Sequence, residues 1–96
     1  MEQDNEKAFD ITSLDIYPLL TLFLSILSSQ AWQYLGLRMK PGTDKAEKDL
    51  ERARVTIDCI ELLFNKIEDH MQKEEKIHFK NLLADLQINF VRIMNG

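Results

Sequence analysis

The sequence is poor in the residues that usually carry catalysis, coordination or chain reversal. One cysteine, Cys59, stands alone in 96 residues. No disulfide can form within the chain, which suits a reducing compartment. Three glycines and two prolines leave no glycine-rich phosphate loop and few turn signals. The opening segment MEQDNEKAFD lacks the basic and apolar stretches of a secretory signal, so none is expected. An excess of positive charge is missing as well. Residues 1–15 carry five acids (Glu2, Asp4, Glu6, Asp10, Asp15) against Lys7, a net of -4, and residues 16–96 carry 11 acids against 11 bases. A balanced body offers no broad positive field to a phosphate backbone, so nucleic acid is not an expected partner.

What remains is apolar and charged. Hydrophobic residues make up 45% and charged residues 29%, a globular composition and not a disordered one. One domain is expected at this length, and alone it would bury only roughly 60–65% of its unfolded surface. Residues 1–14 read as a flexible acidic leader and 15–94 as a single helical domain, with helices over about 15–36, 44–70 and 74–94.

The first helix opens near Asp15, with Pro18 in a first turn that needs no proline N–H. It is apolar around nearly its whole circumference. The gap is a stripe of hydroxyls: Thr21, Ser25, Ser28 and Ser29. Gly36 ends it, and Pro41-Gly42 punctuates the linker. Asp44 and Glu47 have capping-box spacing, which puts the start of the second helix near residue 44 or 45. That helix carries a heptad seam of Ala46, Leu50, Ala53, Ile57, Ile60, Phe64, Ile67 and Met71. Asp44–Lys48, Lys45–Asp49 and Arg54–Asp58 would be opposite charges four apart on it. A new seam in another phase, through Ile77, Leu83, Leu86, Phe90 and Ile93 and broadened by Phe79, Leu82, Val91 and Met94, places a turn near His70–Lys73. No glycine or proline marks that turn; an unbroken rod from 44 to 94 would be about 75 Å long and would need a partner along its length.

Several of these features resemble a small bacterial family of helical domains, the domain-of-unknown-function family 1844. They are Gln30-Ala31 with Leu35-Gly36, Asp49-Leu50, Ala53, Ile57-Asp58 with Leu62-Leu63, and the helix around Leu83 and Leu86. The resemblance covers roughly residues 16–94. It implies a cytoplasmic helical bacterial protein and brings no activity with it. The family pattern often has a threonine- and asparagine-containing turn before its last helix. IEDHMQKEE stands there instead, which leaves that turn open.

No constellation points firmly to chemistry, and no catalytic residue, metal site or cofactor is expected. His70, Glu74 and His78 are four apart and would share a face if one helix ran through them, but the expected turn crosses them and no fourth ligand is close. Cys59 has no base near it in sequence and reads as a buried or half-buried structural thiol. Asp58 has two readings. It is a surface ion pair with Arg54, or a partly buried link to Gln30, Gln33 or Trp32 that fixes register. The hydroxyl stripe, lacking a base on its own helix, reads as a surface for close helix packing. Residues 16–37 carry no charge and are long enough to span a bilayer. However, Thr21, the serines, Gln30, Gln33 and Pro18 interrupt them, and no apolar run exceeds three residues, so membrane contact is not expected.

The expected fold is an all-α, three-helix antiparallel bundle-like domain with the first helix central, completing its core by homodimerisation. Leu22, Phe23, Ile26, Trp32, Ile57, Ile60 and Phe64 are the core or interface candidates; Gln30, Arg54 and Asp58 are the polar register candidates. The expected function is a non-enzymatic oligomerisation or protein-interaction module, a homo-oligomer with a dimer favoured, open to an unidentified protein partner. Rival readings are a small enzyme or metal-binding protein using Asp58, His70 or His78, and a peripheral membrane protein using the first helix.

Overall fold

A computed structural model describes residues 10–96; the acidic positions 2–7 of the leader lie outside the described residues. Three helices make up the domain: α1 (Ile16–Tyr34), α2 (Leu50–Ile67) and α3 (Lys73–Asn95). Single 3-10 turns lie at Ile11–Ser13 and Glu68–His70, and no strand occurs among the described residues. At one end of the α1–α2 hairpin, Tyr34 and Asp49 meet through a backbone hydrogen bond of 2.7 Å from Asp49 N–H. At the other end the Tyr17 ring stacks on His70, centroids 4.0 Å apart. The two helices are therefore antiparallel, and α3 then turns back alongside α2.

The α1 helix begins after Asp15, an extended residue that serves as N-cap without a side-chain hydrogen bond. It ends in a Schellman motif. Gly36 takes the left-handed conformation at φ 79°, Leu37 N–H bonds the Trp32 carbonyl, and Gly36 N–H bonds that of Gln33. Those two bonds satisfy carbonyls the helix end leaves open. The linker reverses at Lys40–Thr43, where Thr43 N–H bonds Lys40 O at 3.1 Å. Pro41 and Gly42 (φ 80°) occupy the central positions as a type II turn requires.

The α2 helix starts at Leu50, not at residue 44 or 45. Asp49 is its cap, accepting from Arg52 N–H at 3.0 Å. Residues 44–49 have only Ala46 to bury, and Ala46 is exposed in the linker, so helix formation there would gain no tertiary packing. The Asp44–Glu47 box and the Asp44–Lys48 and Lys45–Asp49 pairs consequently do not form on a helix. At 18 residues, α2 is about 27 Å long, so it does not outreach α1, whose length is 19 residues.

The core runs through Leu24, Ala31 and Leu35 on the α1 side, Ala53, Ile57, Ile60, Phe64 and Ile67 of α2, and Phe79, Leu83 and Leu86 of α3. Each fully buried large side chain is worth about 1.5–3 kcal/mol. Ala31 and Ala53 are wholly buried, small enough to let the helices approach closely. Ser28 and Thr56 are buried too, and each hydroxyl donates back to the carbonyl four residues earlier, at 2.7 and 2.8 Å. That removes the cost of an unpaired buried hydroxyl.

The central helix is α2 and not α1. It packs on both neighbours, whereas α1 and α3 touch each other little. Only a narrow stripe of α1 (Leu24, Ser28, Ala31 and Leu35) is buried; Leu22 and Trp32 are half-buried, and Phe23 and Ile26 are exposed. On α3 the inner seam is Phe79, Leu83, Leu86, Phe90 and Ile93, with Ile77 turned outward. The radius of gyration is 15.7 Å, against about 12–13 Å for a compact domain of this length.

These contacts predict that Leu24→Ala and Ile60→Ala each lower unfolding free energy by about 2–5 kcal/mol in urea titrations. Leu62→Ser, at a side chain 71% exposed, should change it by less than about 1 kcal/mol.

Candidate functional site

A hollow of about 690 Å³ lies where the end of α1, the linker and the start of α2 converge. Gln30, Gln33 and Tyr34 form one wall, Lys40, Glu47 and Lys48 another, and Asp49 with Arg52 the third. Gly36 is what allows the linker to close over the helix end. A Cβ there would come within 3.2 Å of the Lys48 Cβ, on a backbone already left-handed.

The strongest electrostatic feature of this hollow is Asp49. Its carboxylate accepts the Arg52 backbone N–H at 3.0 Å and the Arg52 guanidinium at 2.7 Å. The backbone N–H first, and the guanidinium after it, hold its pKa below the ordinary carboxylate range. Both groups are solvated, so the pair's contribution is small. A depressed carboxylate stabilises the fold at pH above its unfolded value, and that contribution is lost as pH falls through the folded value. The arrangement caps a helix and sets the linker's landing point. It brings no nucleophile to a base.

The hydroxyl stripe of α1 faces α3. One hollow there, about 650 Å³, is lined by Tyr17, Thr21 and Ser25 with His70, Glu74 and Glu75 among others. A smaller one, about 160 Å³, holds Ser25, Ser28, Ser29, Trp32, Arg38 and His78. The fold thus places each histidine beside hydroxyls that lie far from it in sequence. No histidine–hydroxyl hydrogen bond forms among the described residues. Thr21, Ser25 and Ser28 instead donate to the carbonyls of Tyr17, Thr21 and Leu24, and His70 stacks on Tyr17. Close packing, expected for the whole stripe, holds for buried Ser28; Ser25 is exposed.

His70, Glu74 and His78 do not share one helix, since His70 ends the 3-10 turn and α3 begins at Lys73. No group of three or more potential metal-binding side chains occurs among the described residues. Among the described residues no helix is long and apolar enough to cross a membrane.

Cys59 is exposed, contrary to the expected burial. The α2 seam passes through Ile57 and Ile60, which turns Cys59 outward with Val55 and Leu62. Arg54 and Asp58 are exposed as well and do not reach Gln30, which lines the hollow beside Asp49 and Arg52. The polar link between the first two helices is instead Asp49, bonded to Tyr34 through its backbone and to Arg52 through its side chain. An acid directly before the apolar-periodic Leu50 was the available signal for this cap.

Two outcomes are expected. Gly36→Ala should destabilise the fold by about 1–2 kcal/mol in denaturant titration, through its left-handed backbone alone. Asp49→Asn should reduce the loss of stability that the parent shows as pH falls below the carboxylate range, measured as urea midpoints across an acid series.

A family model described as Domain of unknown function (DUF1844) matches residues 18–92. No curated protein and no solved structure matches the chain.

Proposed function

The chain belongs to the DUF1844 domain family, and we propose that it acts as a non-enzymatic helical module that associates with further copies of itself, as a dimer in its simplest form. The observation that carries this reading is apolar surface left uncovered in regular rows. Among the described residues, eleven apolar residues are buried, two of them alanines, while thirteen large hydrophobic side chains are exposed. Single exposed apolar residues are ordinary on a monomer. Here they line up at helical spacing on the sides facing away from the core. The rows are Ile16, Phe23 and Ile26 on α1, Val55 and Leu62 on α2, and Ile77, Ile88 and Val91 on α3. Aligned apolar faces rimmed by polar residues are the usual mark of an interaction surface.

The committed hydrogen bonding of the hydroxyl stripe and of Asp49 supports an association role over a catalytic one. The test is solution mass at several low-micromolar concentrations, by light scattering or sedimentation. A mass near twice 11.3 kDa or a higher multiple is expected. A monomer throughout overturns the reading.

A further inference from the structure

The outward face of α3 carries a heptad-spaced row that is exposed at every position. Ile77, Asn81, Ala84, Ile88 and Val91 recur in steps of 4, 3, 4 and 3, and all five are exposed. Ile77 is 50%, Ile88 63% and Val91 49% exposed. With Met94, 54% exposed, beside them, they form an apolar stripe along the helix interrupted only by Asn81. This seam lies opposite the inner seam of Phe79, Leu83, Leu86, Phe90 and Ile93, so occupying it would not disturb the core. Its five positions carry no charge, and charges flank it.

Resting on the self-association reading, we propose that α3 pairs in parallel with α3 of a second copy, as a short two-stranded coiled coil along this seam. Asn81 and Ile88 take the a positions; Ile77, Ala84 and Val91 take the d positions. A polar asparagine at an a position specifies register and strand number, at some cost in stability. Lys80 and Asp85 then fall at the g and e positions, where in a parallel pair each lysine meets the partner's Asp85. Two-fold symmetry makes that attraction twice. The remaining flanking pairs, Lys73 with the partner's His78 and Gln87 with the partner's Arg92, add no attraction. An antiparallel pair centred on Ala84 would instead set Asp85 near the partner's Asp85 and His78 near the partner's Arg92. Charge is therefore complementary to a second copy of α3 and favours the parallel direction over this antiparallel one. Within one chain Lys80 and Asp85 are five residues apart, too far round the helix to pair with each other.

The test uses the full chain with Cys59→Ser, carrying Ile77→Cys or Val91→Cys. Under mild oxidation each variant should link to itself, because a parallel two-fold brings like positions together at both ends of the seam. If Ile77→Cys links only to Val91→Cys in a mixture, the parallel arrangement is overturned. If neither links while solution mass still reports a dimer, the α3 seam is overturned and self-association through another face stands. A monomer at every concentration overturns both. Independently, Lys80→Glu should weaken the dimer by about tenfold, as two attractive rim pairs become repulsive. Adding Asp85→Lys should restore it, with helicity unchanged in each variant. No weakening, or no restoration, counts against the charge pairing.

Discussion

Everything in this fold leans on one seam. Ala53, Ile57, Ile60, Phe64 and Ile67 form a row along α2 that must be covered from two sides. The α1 helix covers one side with a matching row that includes two small residues, Ser28 and Ala31, so the backbones draw close. The α3 helix covers the other with Phe79, Leu83 and Leu86. Because α1 and α3 barely meet, neither shields the other's far side, and the domain is more extended than its length requires. The exposed rows on all three helices follow from that arrangement.

The junctions are built to hold α2 in place. One end is fixed by backbone geometry, in which the left-handed Gly36, the Lys40–Thr43 turn and the Asp49–Tyr34 hydrogen bond converge. The other is fixed by the stacked rings of Tyr17 and His70. Between these ends Thr21, Ser25 and Ser28 of α1 donate their hydroxyl protons to carbonyls one turn back. That is why surfaces, and not a cleft, carry the functional reading.

Part of the exposed apolar surface was legible in advance on α1. The absence of charge on α1 drew attention to Leu22, Phe23 and Ile26. The structure leaves Phe23 and Ile26 exposed but half-buries Leu22. The more regular uncovered row is on α3, where Ile77 was assigned to the inner seam. An amphipathic helix with two apolar rows does not announce which of them faces inward, and Phe79 displaced Ile77 because it fits the 4, 3, 4, 3 spacing through Leu83 and Leu86. Cys59 was misplaced for a related reason. An apolar neighbourhood in sequence includes both sides of a helix.

Periodicity by itself determined that the chain is helical, that α2 carries one long seam, and that a new phase begins after residue 70. Those are local properties: they depend on side-chain spacing along a single segment, and the heptad of α2 is unambiguous. The capping acid Asp49, the loss of helix over residues 44–49, the central place of α2 and the outward row of α3 were decided only in the tertiary structure. Each depends on what lies across the interface. A helix start is settled by whether its first turn has anything to bury, and an inner face by which row its neighbour can fill.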